Sequence, residues 1–523
     1  MKKATKLLSL VLALMFVAAA FAGCGNNDAG TNNGGDDANN GGNASNGSDA
    51  GRTDVVIATA NEPPTLHPYD HNAVAANYMN ALTFATLYRA NTDTLVPEPW
   101  LAESCEPVTD TQWKLVIKSD VKFHNGETVT AEDVKATMDW AKNDYSSLTN
   151  IYTSGWSDLE VVDDTTLLIN TPNVYSKLLF DLCSMKIVPK SLIDSGNDFN
   201  ANPVGAGPYK LVKWTLGDNI TFEAFEDYFE GAPAIKNMTW RIIPEGSSRT
   251  IALEAGEVDY IVEVETNDLA RLKESAGISV FEKAGTAFNF MMINNEKFPF
   301  NNESFRKALN CAIDKDALVQ VALNGAGTGV YTQTPTVLPG CSTENIQSHD
   351  MEAAKKYIEE SGIDPTTVSF SLICSDDTKR RSGEVIQANL QELGITVNLE
   401  SMDLATYLSN TADGNYEAAI GGYTSSNMMS FVEGVWHSKS INGSNKTRVN
   451  DPEIDRLYDL ATTQLDETER LETLEKCTAR INEVCGQVPM YQVNVVRAYN
   501  SNLQGINVSA SGNINWQYVS WAD

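Results

Sequence analysis

The sequence predicts an α/β fold that is divided into more than one lobe. The chain has 523 residues, so at roughly 150 residues per domain it is long enough for about three domains. Short runs that alternate apolar and polar residues, typical of half-buried strands, are interspersed irregularly with segments of helical periodicity. No repeat of fixed period is visible in the sequence. This mixture favours α/β lobes over a β-sandwich or a helical bundle.

Several elements can be predicted individually from these patterns. Strand-like runs occupy residues 55–58, 113–118 and 166–169. Three helical regions begin with a capping residue or early carboxylates, namely 130–140, 303–323 and 451–484. Strands and helices therefore recur along the whole chain after about residue 54.

The composition is that of a globular protein with a strong negative charge. Hydrophobic residues make up 42% of the chain, which is enough for a large core. The chain contains 38 Lys and Arg residues and 69 Asp and Glu residues, so its formal net charge is -31. Such a charge repels phosphate backbones and anionic lipid surfaces, so we expect no nucleic-acid partner.

The first 23 residues have the features of a secretory signal. Three lysines precede an apolar run over residues 7–22, which is shorter than the roughly 20 residues that a membrane-spanning helix needs. The run ends in the sequence FAGC at residues 21–24. This ending resembles the bacterial lipoprotein signal, in which the cysteine becomes the lipidated first residue, although Phe21 stands where Leu is usual. We expect Cys24 to be lipidated; the alternative is an ordinary secretory signal with an incidental cysteine.

A linker follows the predicted lipidation site. Residues 25–51 consist almost entirely of Gly, Asn, Asp, Ala and Ser, a composition that cannot bury a core. A flexible coil of about 27 residues reaches on the order of 30 Å. We therefore predict that residues 24–53 are a lipidated tether that holds an extracytoplasmic body at the outer face of the cell membrane, which is the periplasmic side in a Gram-negative host.

The remaining cysteines and the histidines form no recognisable metal or catalytic motif. Seven cysteines follow Cys24, and an odd count leaves at least one free thiol unless a bond forms between molecules. None has a zinc-like spacing, so we interpret them as small buried side chains. His67 and His71 are four residues apart, but Pro68 opposes a helix and no Glu follows His67. We expect no metal, no cofactor and no catalytic activity.

Three sequence blocks carry a resemblance to a known family. Residues 123–134 (FHNGETVTAEDV) are similar to the block F-x-D/N-G-x-x-x-T-A-x-D-V of the family 5 solute-binding proteins, the peptide- and nickel-binding receptors of ABC importers. Residues 202–209 (NPVGAGPY) resemble the family's P-V-G-T-G-P-Y, with Ala206 in place of Thr. Residues 294–315 resemble a third block, which ends in A-i-D-r. The order and spacing match over about residues 54–520, and the chain is identified as a member of the family.

We expect these blocks to serve the scaffold and not the ligand. Gly205 and Gly207 lie beside prolines and suit a tight crossing of the chain where only glycine fits. The helix that begins near Phe305 is expected to pack by its apolar stripe, with the charges of Arg306 and Asp314 in solvent.

The resemblance implies a two-lobed, periplasmic-binding-protein-like fold (type II, cluster C) with an additional third domain. By that implication, lobe I is built from residues 54–94, 201–290 and 487–523, the added domain spans 95–200, and lobe II spans 291–486. The lobes close on a ligand in the cleft between them. The expected partners are a small solute and the membrane subunits of an ABC permease, and we expect a monomer.

In peptide-binding members of the family, a G-W-x-x-D motif supplies an Asp that pairs with the amino terminus of the ligand. The corresponding stretch here is 422–427 (GYTSSN), so the aromatic residue is Tyr423 and Ser426 occupies the position of the acid. A buried ammonium without a carboxylate costs several kcal/mol. Either another acid, such as Asp413 or Glu417, meets the amine, or the ligand lacks a free amine.

Further candidates for ligand contact are basic and aromatic. The cluster Lys379–Arg380–Arg381 lies where relatives place residues that reach toward the carboxylate of the ligand, although a solvated helix face is an equally good interpretation. The pairs Trp436–His437 and Tyr491–Gln492 offer aromatic walls. The candidate contact residues are therefore Tyr423, Thr424, Ser426, Trp436, Arg380, Arg381 and Tyr491.

These features predict a lipid-anchored receptor that captures short peptides and delivers them to a permease. The absence of the acid at Ser426 keeps an alternative open, in which the same scaffold binds an oligosaccharide, a glutathione-like conjugate or a metal chelate. A sensor that has kept the scaffold without transport is a further alternative.

Overall fold

We analysed a computed structural model that describes residues 51–522. The predicted signal peptide over residues 1–23, the predicted lipidation site Cys24 and nearly all of the predicted linker over 24–53 lie outside the described residues. None of the helices in the described part of the chain is both long and apolar enough to cross a membrane.

The β-strands are distributed along the entire described chain. In chain order they are β1 Asp54–Thr59, β2 Tyr88–Ala90, β3 Pro97–Pro99, β4 Ala102–Thr109, β5 Gln112–Ile117, β6 Asp158–Asp163, β7 Thr166–Asn170, β8 Tyr209–Thr215, β9 Asn219–Ala224, β10 Asn237–Ile242, β11 Tyr260–Ile261, β12 Ile278–Ile293, β13 Gly327–Gly329, β14 Ser369–Cys374, β15 Thr396–Ser401, β16 Ala418–Thr424, β17 Gln487–Asn500, β18 Leu503–Gln504 and β19 Ser520–Trp521.

The α-helices are concentrated in the second half of the chain. They are α1 Val74–Thr83, α2 Ala131–Asp144, α3 Ser146–Thr153, α4 Leu178–Leu182, α5 Lys190–Asp194, α6 Gly246–Glu254, α7 Leu269–Glu274, α8 Glu303–Ala312, α9 Lys315–Leu323, α10 Met351–Ser361, α11 Asp377–Gln391, α12 Leu404–Asp413, α13 Met428–Val435, α14 Pro452–Thr462 and α15 Glu467–Val484. Single 3-10 turns occupy Thr266–Asp268, Pro365–Thr367, Ser438–Ser440 and Trp516–Tyr518.

One large mixed sheet organises the molecule. Its strands follow the order β15-β14-β16-β12-β17-β11-β1-β10-β9-β8, and β13 pairs with β17 beside this path. The two longest strands, β12 and β17, are antiparallel neighbours in the middle of the order. One end of this pair meets β11 and the other end meets β16, so β12 and β17 connect two halves of the sheet. We call β8, β9, β10, β1 and β11 the first half and β14, β15 and β16 the second half.

The pairing of β12 with β17 is irregular where the two halves meet. The register shifts between Ala284 and Phe288 and again between Asn289 and Phe290. Gly285 lies in the first of these interruptions, and a Cβ atom there would lie 2.5 Å from the carbonyl oxygen of Val493. The close approach of the two backbones therefore requires glycine at this position.

Strands β4 to β7 form a separate four-stranded sheet, and they lie between β3 and β8 in the sequence. It has the order β4-β5-β7-β6 and is antiparallel throughout. Helix α2 packs against it, and the core between them includes Trp113, Leu115, Val134 and Met138. The same hydrophobic core also includes Leu87, Ala206 and Phe225, so the four-stranded sheet packs against neighbouring parts of the chain.

The individual element predictions are confirmed at the strands and at the first helix. The runs at 55–58, 113–118 and 166–169 form β1, β5 and β7 within one residue. Helix α2 begins with a capping box in which the side chain of Thr130 accepts a hydrogen bond from the Asp133 amide and the Asp133 side chain accepts one from the Thr130 amide.

The two longer helical predictions are each divided in the structure. The region 303–323 forms α8 and α9, because the side chain of Asp314 caps a new helix by accepting hydrogen bonds from the amides of Asp316 and Ala317. The region 451–484 forms α14 and α15, and Asp466 caps the second of these helices in the same way.

The structure corrects the prediction that the charge of Arg306 is solvated. Arg306 is 8% exposed and donates hydrogen bonds to three backbone carbonyls, those of Phe300, Val484 and Cys485, at 3.0, 2.8 and 3.1 Å. The guanidinium thereby joins the start of α8 to the end of α15. Five donors in a planar group allow an arginine to satisfy several carbonyls at once, which is why the charge can be buried.

The tight crossing predicted at Gly205 and Gly207 is confirmed. A Cβ atom at Gly205 would lie 2.4 Å from the carbonyl oxygen of Thr83, and one at Gly207 would lie 2.4 Å from that of Leu82. The amide of Gly207 donates a hydrogen bond to Thr83 at 2.9 Å. The block therefore fits closely against the end of α1.

Candidate functional site

A cavity of about 470 Å³ with both polar and apolar lining lies between the segment around α3 and α4 and the helices that follow β16. One wall comes from residues 150–154 and 174–177, and the other from β16, α13 and α14. Its lining residues are Asn150, Ile151, Ser154, Val174, Tyr175, Ser176, Lys177, Tyr423, Ser430, Glu433, Gly434, Lys439, Tyr458 and Thr462. We call this space the Tyr423 cavity.

Tyr423 is positioned at the end of β16 by the helix that follows it. Asn427 caps α13 by accepting a hydrogen bond from the amide of Ser430, and the ring of Phe431 meets the ring of Tyr423 edge to face at 5.8 Å. A Cβ atom at Gly434 would lie 2.6 Å from the hydroxyl oxygen of Tyr423. Tyr423 therefore occupies the space that the missing side chain of Gly434 leaves open.

Glu433 is the carboxylate of the cavity. It accepts a hydrogen bond from the hydroxyl of Tyr458 at 2.8 Å and forms ion pairs with Lys439 at 3.1 Å and Lys177 at 3.7 Å. Burial acts to raise the pKa of Glu433, but the Tyr458 hydroxyl and the two lysines outweigh it and lower the pKa. Glu433 is therefore ionised at neutral pH.

The two walls of the cavity touch at one edge. The hydroxyl of Ser176 donates a hydrogen bond to the carbonyl of Ala461 on α14 at 3.1 Å. Leu465, just after α14, packs against the core of the four-stranded sheet. These contacts hold Lys177 opposite α13.

A protonatable carboxyl group lies behind the wall that carries Lys177. Asp181 accepts a hydrogen bond from the hydroxyl of Tyr175 at 2.6 Å and is buried. Burial raises the pKa of Asp181 to about 7, and the hydrogen bond from Tyr175 and the charge of Lys177 oppose this only in part. The orientation of Tyr175 in the cavity wall thus depends on a buried acid.

The remaining residues of the predicted peptide motif lie outside the lining. Thr424 and Ser426 are exposed, and the Ser426 hydroxyl accepts a hydrogen bond from the side-chain amide of Asn427 at 3.3 Å. The two acids suggested as substitutes for the missing Asp lie near the other end of β16. Glu417 directly precedes the strand and accepts a hydrogen bond from the amide of Ser371 at 2.8 Å, and Asp413 ends α12.

This placement corrects the suggestion that Asp413 or Glu417 compensates for Ser426. Glu417 and Ser426 flank opposite ends of an extended strand, which separates them by about 30 Å at roughly 3.3 Å per residue. The acid nearest along the chain to Tyr423 within the cavity lining is Glu433.

The basic cluster belongs to the surface and packing of α11. Lys379 pairs with Asp376 at 2.6 Å, and Arg380 pairs with Asp377 and Glu384 on its own helix. Arg381 donates a hydrogen bond to the carbonyl of Ala322 at the end of α9 at 2.9 Å. None of the three lines the Tyr423 cavity.

Trp436 and Tyr491 are placed in the core. Trp436 is 0% exposed and packs in the core of the second half of the sheet, while Tyr491 is 1% exposed and its hydroxyl lies 3.1 Å from that of Ser382. The neighbours His437 and Gln492 are also buried. These side chains are too deeply buried in this structure to line the Tyr423 cavity.

The histidines near the start of the chain serve local structure. The Nδ1 atom of His67 accepts hydrogen bonds from the amides of Tyr69 and Asp70 at 3.1 and 3.0 Å, and its Nε2 atom lies 3.0 Å from the hydroxyl of Tyr145. Within residues 51–522, no group of three His, Cys, Asp or Glu side chains could hold a metal ion. The seven cysteines of the described chain are all free thiols.

Comparison with known proteins identifies the family. The model of the bacterial extracellular solute-binding proteins, family 5 (middle region), matches residues 96–443, which is more than half of the chain. The chain is a family 5 solute-binding protein. Members of this family act outside the cytoplasm as solute receptors of ABC importers and are not enzymes.

Three curated relatives of this family 5 protein illustrate its sequence similarity. The glutathione-binding protein of Salmonella paratyphi A is 28% identical over 359 residues, which cover 67% of this chain and 70% of the relative. The heme-binding protein A of Haemophilus influenzae is 25% identical over 430 residues (75% and 78%). The probable D,D-dipeptide-binding periplasmic protein of Escherichia coli is 24% identical over 471 residues (86% and 90%).

A solved structure confirms the two-lobed α/β fold of the family 5 protein. The structure of HbpA2 from Haemophilus parasuis superposes with a TM-score of 0.84 at 22% sequence identity. The match covers 90% of this chain and 100% of the other.

Proposed function

We propose that this family 5 protein is a lipid-anchored receptor that captures short peptides between its lobes and delivers them to an ABC permease. The observation that carries the peptide part is the position of Tyr423 in the wall of a cavity that has both polar and apolar lining. Tyr423 is the aromatic residue of the motif that resembles the peptide-binding one. A cavity of about 470 Å³ lies in the size range of small-molecule sites. Its hydroxyl, ammonium and carboxylate groups suit a solute that is rich in hydrogen-bonding groups.

The name of one relative agrees with this proposal, and the name of another agrees with the second candidate below. A D,D-dipeptide, which is a short peptide, is named as the ligand of a relative that matches this chain over 86% of its length. Glutathione is named as the ligand of a relative that matches this chain over 67% of its length.

A non-peptide solute is the second candidate, and Ser426 is the observation that favours it. The exposed serine at the position of the family's acid leaves an α-amine without its usual partner there. This candidate includes an oligosaccharide, a glutathione-like conjugate and a metal chelate.

Isothermal titration of the purified mature protein separates these candidates. The panel contains di- to hexapeptides, glutathione, a maltooligosaccharide and a nickel chelate. We expect saturable binding of at least one peptide. If no peptide binds while the sugar or the chelate does, the peptide proposal is wrong.

The arrangement of domains is part of the proposal. We infer lobe I from residues 54–94, 201–290 and 487–523, an added domain from 95–200 and lobe II from 291–486. Two observations support this arrangement. The four-stranded sheet falls within residues 95–200. In the strand order of the large sheet within residues 51–522, β12 and β17 are the strands that connect its two halves. Under this arrangement, the Tyr423 cavity is bounded by lobe II and the added domain, so we propose that the added domain contributes to the solute site beside the lobes. We propose that the protein acts as a monomer.

Attachment to the membrane is proposed to depend on Cys24. The variant Cys24→Ser loses the thiol that would carry the lipid, and the described body begins only at residue 51. We expect this variant to leave the detergent phase in a phase-partition assay and to keep the unfolding midpoint of the parent body. Recovery of Cys24→Ser in the detergent phase would contradict lipidation.

A further inference from the structure

The Tyr423 cavity carries more positive than negative charge. Its lining contains two ammonium groups, those of Lys177 and Lys439, and one carboxylate, that of Glu433. The nearby Asp181 is not in the lining, and burial raises its pKa to about 7. A negatively charged group in the cavity is therefore favoured over a positively charged one.

The two lysines differ in their distance from Glu433 and in the exposure of their side chains to water. Lys439 lies 3.1 Å from Glu433 and its side chain is 51% exposed to water. The side chain of Lys177 is only 16% exposed, and its ammonium lies 3.7 Å from Glu433, too far for a hydrogen bond. Within residues 51–522, the Lys177 ammonium donates no hydrogen bond, because its only polar contact is this ion pair.

An ammonium that faces a cavity with unused donors gains a favourable interaction when an acceptor enters the cavity. The wall that faces Lys177 provides a second unused donor, since the Tyr423 hydroxyl makes no hydrogen bond within the described chain although Tyr423 lines the cavity. Lys177 and Tyr423 come from opposite walls. An acceptor with two oxygens that entered between the walls would satisfy both donors at once.

We propose that the Tyr423 cavity is the subsite for a carboxylate group of the solute, bound by Lys177 and Lys439 and by the hydroxyl of Tyr423. In this assignment Glu433 does not bind the solute; it orients Lys439 and is itself held by Tyr458. The assignment rests on the proposed function, since it names the chemical group by which the receptor recognises its solute.

Isothermal titration with matched probes tests the subsite. The probes are trialanine, trialanine amide and glutathione, and the proteins are the parent and the variants Lys177→Gln, Lys177→Arg and Lys355→Gln. Lys355 is an exposed lysine on α10 and serves as the charge-matched control. We expect trialanine to bind about 10- to 100-fold more tightly than its amide, because a hydrogen bond to a charged group contributes about that factor.

The variants are expected to distinguish the loss of the positive charge of Lys177 from a disturbance of the structure around it. Lys177→Gln is expected to weaken trialanine by about 10- to 100-fold and to leave the amide unchanged, so that acid and amide bind alike. Lys177→Arg keeps a cation and is expected to keep the preference for the acid, which also shows that the site is folded. Lys355→Gln is expected to change neither affinity by more than about twofold.

Glu433→Gln distinguishes this subsite from an ammonium site. If the cavity held the amino terminus of the solute, loss of the Glu433 carboxylate would abolish binding. For a carboxylate subsite, Glu433→Gln loses the partner that orients Lys439, so the affinity itself changes, but we expect the preference for trialanine over its amide to persist. Equal binding of trialanine and its amide by the parent would overturn the subsite and leave the peptide receptor standing. Binding of glutathione alone, weakened by Lys177→Gln, would overturn the peptide proposal and support the subsite. Failure of both trialanine and glutathione to bind would overturn the subsite.

Discussion

The surroundings of Arg306 and Lys177 show two ways in which this protein holds a positive charge away from open solvent. Arg306 is 8% exposed, and three backbone carbonyls accept its hydrogen bonds. The side chain of Lys177 is 16% exposed, yet its ammonium has only a carboxylate at 3.7 Å. Both residues lie within residues 96–443, the part of the chain that matches the family model. The difference indicates that the first cation joins elements of the fold, whereas the second is available to a solute.

The largest effect that tests this comparison is expected on stability at Arg306. Arg306→Met keeps the unbranched apolar stem of the side chain but leaves three buried carbonyls without a donor. We expect the free energy of unfolding to fall by about 3 to 5 kcal/mol, as measured by denaturant titration followed by circular dichroism. The neighbouring Lys307 pairs with Glu303 on the same helix, so Lys307→Gln is expected to cost less than about 1 kcal/mol. Equal losses in both variants would contradict a structural role for Arg306.

An intermediate effect is expected from the acid behind Lys177. The pKa of Asp181 is raised from its ordinary value of 3.8 to about 7 in the folded protein, so between these values the folded state holds a proton that the unfolded state has released. Stability therefore falls as the pH rises through this range, by on the order of 2 to 4 kcal/mol in total. Unfolding midpoints measured between about pH 4 and pH 8 should show this slope in the parent and lose it in Asp181→Asn.

Asp163 supplies the control for this pH dependence. It is exposed, and a hydrogen bond from the amide of Thr165 lowers its pKa. A lowered pKa contributes stability above the ordinary value and loses it as the pH falls, which is the opposite sign. Asp163→Asn should therefore leave the slope that we assign to Asp181 unchanged. Persistence of that slope in Asp181→Asn would show that a different group causes it.

At Gly434 we expect the smallest effect on stability of the variants considered. We expect a clear effect on binding at the same position. A methyl group there would collide with the Tyr423 hydroxyl, whose oxygen lies 2.6 Å from the position of the added Cβ atom. Alanine favours the helix by up to about 1 kcal/mol, which offsets the crowding, so we expect little change in stability. Titration of Gly434→Ala with trialanine should show affinity lowered by about tenfold, because the ring is displaced. An unchanged affinity would place Tyr423 outside the solute-binding site.

Local chemistry made much of the fold predictable from the sequence. The capping box at Thr130 and Asp133 and the alternating run of β5 act over a few residues, so their signals are contained in the segments themselves. The division of the region 303–323 was missed even though Asp314 is a common capping residue, because the apolar periodicity continues across it. The burial of Arg306 depends on carbonyls at the end of α15, and no local pattern reports such a distant partner.

The candidate site was predictable only at Tyr423, where a motif marks the position. Lys177 and Glu433 come from segments that lie far apart in the chain, and the fold brings them together. In the sequence alone, each of them has the pattern of an ordinary surface charge. Glu433 did carry a weak signal, since it is the lone acid in the otherwise apolar helix α13. Sequence spacing could not show that Lys177 lies across the cavity from the motif that contains Tyr423.

The interruption in the β12 and β17 pair has a mechanical consequence. Where the regular ladder fails, the buried side chain of Gln492 donates a hydrogen bond to the carbonyl of Gly285 and accepts hydrogen bonds from the amide and hydroxyl of Thr336. At this point a side-chain bond to Gly285 and a backbone bond from the Thr286 amide to the Ala510 carbonyl at 3.0 Å take the place of the regular ladder. Because the interruption lies in mid-sheet, a small twist there would move the distant walls that carry Lys177 and Tyr423 by a larger distance.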